Sequence, residues 1–224
     1  MTGTPTIPTW YKDPTADEAM ADGHTAIWRH MIGLMPEIDL SGRDVLDYGC
    51  NQGGFLRLLY AVRPFRRGLG IDIAEASVAR AEALSSTMPL HFRVGSGIAG
   101  LQAQFDLAFS HEVIYLLPDI ATHAREMFAA LRPGSVYYAV TGCHTGNALW
   151  PQWRELVAER TNTVVQDRSV TEYATAFAAA GFAVSGRKLG FDGFVPFKPG
   201  GWMPRFEDAL DYVTPTKVLF RLVR

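Results

Sequence analysis

Cysteine is scarce in this chain: Cys50 and Cys143 are the only two in 224 residues. One pair makes neither a disulfide framework nor a metal-ligand set, and no CxxC or HExxH pattern occurs, so no metal is expected. No apolar run approaches the roughly 18–20 residues needed to cross a bilayer, which argues against a membrane partner. The opening Met1-Thr2-Gly3-Thr4-Pro5 has no basic stretch followed by an apolar segment, so no secretory signal is read there and a cytoplasmic location is expected. Charge of one sign is also lacking. The formal net charge is −2, which gives no general electrostatic ground for a nucleic-acid partner. The one dense basic cluster, Arg63, Arg66 and Arg67, reads as a solvated helix end. What remains, at 48% hydrophobic residues, is enough for a sizeable core. The expectation is a single domain over 1–224, monomeric or homodimeric, carrying an arm and helix over 1–36.

From residue 45 the pattern alternates between short apolar runs and helical spacing. Val45–Asp47, Gly68–Ile73, Pro89–Val94, Phe105–Ser110 and Val136–Val140 read as five strands. Helices are expected near 53–62, 74–86 and 119–131, the last ended by Arg132-Pro133-Gly134. A further helix spans Asn147–Arg160, and Ser169-Val170-Thr171-Glu172 forms a capping box opening another that Gly181 closes. Phe182–Leu189 and Lys217–Val223 read as two more strands. Ahead of this series, Thr15-Ala16-Asp17-Glu18 forms another capping box and starts a helix that Pro36 ends. Alternation of this kind implies an α/β fold: a three-layer, doubly wound, mostly parallel sheet covered on both faces.

The turn after the first strand carries the most information. Asp47-Tyr48-Gly49-Cys50-Asn51-Gln52-Gly53-Gly54 joins a strand to a helix through bare backbone that a ligand can approach closely. Its spacing fails the G-x-G-x-x-G of dinucleotide binders and lacks the Lys-Ser/Thr of a P-loop. An acid at the strand end suits a ligand with a cationic group better than a pyrophosphate. Asp72, at the end of the next strand, is placed to receive a ribose.

At these residues the chain resembles the class I S-adenosylmethionine-dependent methyltransferases. Val45–Gly54 matches the glycine-rich motif and Gly70-Ile71-Asp72-Ile73 the second acidic motif. Leu131-Arg132-Pro133-Gly134 matches the turn before strand five, and Ala180-Gly181-Phe182 the junction before strand six. The resemblance covers roughly residues 40–190 and implies seven strands, the last antiparallel. It also implies S-adenosylmethionine as donor and S-adenosylhomocysteine as product. Asp47, with Gly49, Cys50, Asn51 and Gly53, would hold the amino-acid end, Asp72 the ribose, and Ile73 the adenine. Two positions depart from the family pattern. Asn51 stands at the usual second glycine, where its tolerance of left-handed geometry keeps the turn possible. Gly95-Ser96-Gly97-Ile98 replaces an acid that often receives the adenine amino group, so Ser96 or a carbonyl must substitute.

Methyl transfer needs alignment of a nucleophile within about 3–3.5 Å and exclusion of water more than it needs a triad. A base is required only when the acceptor must lose a proton. His111 and His144, after strands four and five, are the candidate bases, each with a structural alternative as a carbonyl-bonded loop residue. Ser110 falls at the donor edge. Tyr11, Glu112, Tyr115, Trp150 and Trp202 are candidates for the acceptor wall, and 190–206 for a lid. Cys143 reads as a packing residue. The expected activity is methyl transfer to a small organic acceptor. The alternatives are an RNA-end or phosphate methyltransferase and a non-catalytic donor-binding module.

Overall fold

The computed structural model describes residues 5–13, 15–16, 20–199 and 201–224. The capping box expected at Thr15–Glu18 therefore lies partly outside the described residues. Helix α1 (Met20–Leu34) leads into β1 (Asp44–Tyr48), α2 (Gly54–Val62), β2 (Arg67–Asp72), α3 (Glu75–Leu84) and β3 (Leu90–Val94). Then come β4 (Phe105–His111), α4 (Ile120–Ala130), β5 (Leu131–Thr141), α5 (Trp150–Arg160) and α6 (Val170–Ala179). The chain finishes with β6 (Ala183–Lys188), the short α7 (Phe206–Asp211) and β7 (Val218–Val223).

The strands form one sheet in the order β3-β2-β1-β4-β5-β7-β6. β7 runs antiparallel between β5 and β6, and the other pairings are parallel. Period-2 alternation divides neighbouring strand residues between two cores. Leu46, Ala108, Tyr137 and Phe220 pack on one face with Tyr173 and Phe177 of α6. Val45, Leu107, Tyr138 and Leu219 pack on the other with α1 and α2 through Ile27, Met31, Phe55 and Leu59. Burial on both faces is why the central strands β1, β4 and β5 read as continuous apolar runs. The order reverses between β1 and β4. In open α/β sheets a ligand crevice opens at such a point, beyond the strands' carboxyl ends.

Local signals act as the sequence implies, with two differences. The capping box at Ser169 and Glu172 closes in both directions, and Gly181 ends α6 at φ +106°. Pro151 sits in the first turn of α5, where no intrahelical N–H is lost. Arg132-Pro133-Gly134, however, lies inside β5 rather than in a free turn. Arg132 is pinned to Asp44 and Asp106 by ion pairs of 2.9 and 2.6 Å, and the register shifts by a bulge between Phe105 and Leu107. Nor are Arg66 and Arg67 a freely solvated cluster. Asp44 is fully buried and needs cations, and both guanidiniums close on it at 2.5 and 3.0 Å.

Candidate active site

The turn after β1 is built by three left-handed residues: Gly49 at φ +78°, Asn51 at +45° and Gly53 at +72°. Gly49 is required twice over, since a Cβ there would lie 2.2 Å from Val113. Asn51 supports its own geometry. Its Oδ1 accepts from the Gln52 N–H at 2.8 Å, and its amide reaches Ser77 at 3.4 Å. The Gly49 and Cys50 N–H groups donate to the Ile71 carbonyl, tying the turn to the end of β2.

Asp72 is held from two sides. One carboxylate oxygen accepts from the Asn51 N–H and the other from the Ala74 N–H, both at 2.8 Å. These bonds fix the plane of its carboxylate. Asp47 is the opposite case. It is 3% exposed, and no side-chain hydrogen bond to it is found among the described residues. Burial, with the charge of Asp72 nearby, pushes its pKa up to about 8. A buried carboxyl of this kind takes up its charge readily only when a cation arrives beside it.

Both acids line one cavity of about 990 Å³. Gly49, Cys50, Asn51, Gln52, Ile73 and Ser96 line the same cavity. The Tyr48 hydroxyl donates to the Ser96 carbonyl at 3.1 Å, which fixes the loop where the adenine-binding acid is missing. Cys50 is buried there with its thiol pushed well up by burial and the two carboxylates, so it lines the turn as an inert thiol.

The amino-terminal arm roofs the cavity and is fastened at both ends. Ile7 donates to the Ile73 carbonyl at 2.9 Å. The first N–H groups of α3, which has no side-chain cap, donate back to the Ile7 and Pro8 carbonyls. Farther along, Tyr11 bridges to Thr161, and the Lys12 ammonium bonds the Ala158 and Glu159 carbonyls at the end of α5. Pro5, Ile7, Trp10 and Tyr11 line the cavity from above. The arm therefore staples the body and covers the site at once. Lys12→Ala is expected to make the arm the first point of limited proteolysis; unchanged cleavage would show that the main-chain bridges suffice.

Away from the two acids, Tyr11, Tyr115 and Trp202 line the cavity as aromatic walls, and Trp153 joins them from α5. Trp150 does not. One step round that helix, it packs against Tyr115 and Cys143 and donates to Asp167 at 2.7 Å. Ser110 is also turned away, its hydroxyl 2.6 Å from that of Tyr137 inside the core. His144 is 3% exposed and bonds the Thr216 carbonyl at 3.0 Å, outside the cavity. Of the two candidate bases, only His111 faces the ligand space.

His111 is backed by charge. Lys217, at the foot of β7 and 1% exposed, lies 3.3 Å from its Nε2 and 3.0 Å from Glu112. Burial, Lys217 and His24 push the imidazole's pKa well down, so it stays neutral. Glu112 occupies a left-handed position at φ +57°. Its carboxylate accepts from Thr141, the Gly142 N–H, Tyr212 and Lys217. Burial alone would raise its pKa, but Lys217 and the Tyr212 hydroxyl more than offset that and keep it lowered. Glu112 is thus a structural anchor that also lines the cavity. His24, Trp28, Lys217 and Tyr212 were not marked by any local motif. Their role comes from α1 crossing the cavity mouth and from the turn before β7. The only cue in the sequence is the pairing of His24 and Trp28, one helical turn apart.

A family model for the methyltransferase domain matches residues 19–185. A ubiquinone biosynthesis O-methyltransferase from Methylobacterium is 34% identical over 48% of this chain and 44% of its own length. A trans-aconitate 2-methyltransferase from Azoarcus is 33% identical over 58% and 49%. The chain thus spans less than half the length of these curated relatives. Among solved structures, the methyltransferase chain complexed with the Trm112 methyltransferase activator of Haloferax volcanii superposes with a TM-score of 0.78. It is 25% identical, and the match covers 93% of each chain. With residues 19–185 on the family model and a seven-stranded sheet in the order β3-β2-β1-β4-β5-β7-β6, the chain belongs to the class I S-adenosylmethionine-dependent methyltransferases.

Proposed function

We propose that this chain moves a methyl group from S-adenosylmethionine to a small organic acceptor by in-line displacement. The observation that supports this most is the single cavity running from Asp47 and Asp72 to the aromatic wall of Tyr115, Trp153 and Trp202. Its volume of about 990 Å³ lies at the upper end of the ~300–1,000 Å³ usual for ligand sites, so a donor and a small acceptor fit together. The relatives named for ubiquinone biosynthesis and trans-aconitate support a small acceptor as well.

In this reading Asp47 takes the donor's ammonium and the turn's backbone frames the aminocarboxypropyl arm. Asp72 accepts both ribose hydroxyls, and Ile73 packs on the adenine beneath the arm. The sulfonium methyl then points toward His111 and the aromatic wall, in space screened from water. Calorimetry with S-adenosylmethionine, S-adenosylhomocysteine and NAD tests the donor end. Binding of the first two without the third is expected, and the reverse would overturn the reading. Labelled methyl transfer to small acceptors against RNA tests the acceptor end; transfer to RNA alone would overturn it. Lys198, Trp202 and Met203 line the cavity from the segment 190–206. Trimming residues 191–199 is expected to lower acceptor turnover more than donor affinity, and equal losses would remove the lid.

A second reading concerns a partner. The Haloferax volcanii match favours a Trm112-type activator protein bound to this chain. Co-expression with a Trm112-type protein would then yield a stable complex in gel filtration, whereas two separate peaks would dismiss the partner.

A further inference from the structure

We propose that His111 orients the acceptor through a hydrogen bond from Nδ1, without taking its proton, and that the acceptor presents a carboxylate. The product would be a methyl ester. The inference rests on the methyl-transfer reading above and names the substrate class of that same site.

The starting observation is the buried trio of Lys217, Glu112 and His111. Lys217 is ion-paired with Glu112 at 3.0 Å, and a lysine ammonium offers only donors. Its contact with His111 Nε2 at 3.3 Å makes that nitrogen the acceptor. The proton of the neutral ring must then sit on Nδ1, for which the described residues supply no partner. Because His111 lines the cavity, Nδ1–H is the group it offers to a ligand. Lys217 behind the ring polarises that N–H and favours an anion in front of it.

Glu112, His144 and Tyr115 do not replace a base. Glu112 is saturated by four donors. His144 lies outside the cavity, and burial pushes the Tyr115 phenol well up. His24 also lines the cavity, stacked on Trp28 at 5.6 Å and edge-on to the His111 ring at 5.1 Å, and it is the rival base that the His24→Gln variant below tests.

A site without a base selects acceptors that arrive ionised. Phenols near pKa 10, ammonium groups near 10.4 and thiols near 8.5 are mostly protonated at neutral pH, whereas carboxylic acids near 4 are not. The balance is simple. A carboxylate lone pair forms the new O–CH₃ bond as the C–S⁺ bond breaks, its electron pair staying on sulfur. Anion and sulfonium become a neutral ester and a neutral thioether, and no proton moves.

The test begins with ¹⁵N-histidine NMR of the full chain bound to S-adenosylhomocysteine, His111 being assigned with His111→Asn. The Nδ1–H tautomer, retained from pH 8 to pH 6, is expected. An Nε2–H tautomer or an imidazolium at pH 6 overturns the orientation. Labelled S-adenosylmethionine is then offered with aromatic and aliphatic carboxylic acids, phenols, amines and thiols. Label released as methanol by mild alkali identifies an ester and supports the proposal. Transfer confined to phenols, amines or thiols overturns it but leaves the methyltransferase reading intact, while failure to bind the donor by calorimetry overturns both. With a carboxylic acid, His111→Asn keeps an N–H near the Nδ1 position and should lose at most about tenfold in kcat/KM. His111→Ala should lose about 100-fold, chiefly through KM. Equal losses in the two variants, or a rate limb near pH 6.5 abolished by His24→Gln, would show a base and sink the proposal.

Discussion

Replacing Asp47 with Asn should weaken S-adenosylmethionine binding on the order of 100-fold and, at the same time, raise the melting temperature of the unliganded protein. The two effects share one cause. In the free protein the Asp47 carboxyl is buried without a cation, and its pKa is pushed up to about 8. Above the unfolded value near 3.8 the fold must either hold a proton there or bury a charge. Stability is therefore lost as pH rises from about 4 to about 8, and the loss is complete above 8. Asn keeps the shape and removes that penalty. Facing a bound ammonium, the same carboxylate gains a partner, and truncating one member of a buried charge pair costs about 2–5 kcal/mol. The wild-type donor affinity should also improve with pH, by up to tenfold per unit, until it levels near pH 8 where Asp47 ionises unaided. Calorimetry in buffers of different ionisation enthalpy would register the released proton. An affinity that is flat between pH 6 and 8, or an Asp47→Asn protein of lower melting temperature, would contradict the assignment.

Asp72→Ala should be at least as damaging to donor binding and, unlike the change at Asp47, should also loosen the apo protein. Its carboxylate accepts from Asn51 and Ala74 before any ligand arrives, so removal strands two backbone donors and releases the turn. Losing hydrogen bonds of a charged acceptor, at about 1.5–3 kcal/mol each, implies a donor affinity lower by on the order of 100–1,000-fold. Asp72→Asn retains one acceptor oxygen and should fall between. Comparing adenosine with S-adenosylmethionine separates the contributions. The loss should persist for adenosine, which carries the ribose alone, whereas Asp47→Asn should leave adenosine affinity unchanged. Wild-type affinity for both ligands in Asp72→Ala would refute a ribose contact.

The sheet was legible because its central strands are buried on both faces and end in chemical punctuation. Val45–Asp47, Gly70–Asp72 and Ala180-Gly181-Phe182 needed only their order to suggest the strand sequence. Asn51 was legible as an irregular glycine substitute, and it does stand at φ +45°. Other positions were not readable, for geometric reasons. Ser110 and His111 are adjacent in β4, so they point to opposite faces, and only one of them meets the ligand space. Trp150 and Trp153 lie one helical turn apart on α5. The docking of that helix, which local spacing does not fix, gave the wall to Trp153. The 3.0 Å contact of Glu112 with Lys217 joins residues more than one hundred positions apart, beyond any motif.

By itself, the sequence determined the alternation of strands and helices, the donor turn and the two acids at its edge. Periodicity, glycine placement and strand-end charge are local properties that a chain carries wherever it folds. Tertiary structure alone decided that Asp47 would be buried without a cation while Asp72 was pinned by backbone donors. It also placed His111 rather than His144 at the cavity, with Lys217 behind it, and laid the arm across the top. Those outcomes depend on desolvation and on contacts between distant segments, which exist only once the sheet has closed and its crevice has a roof.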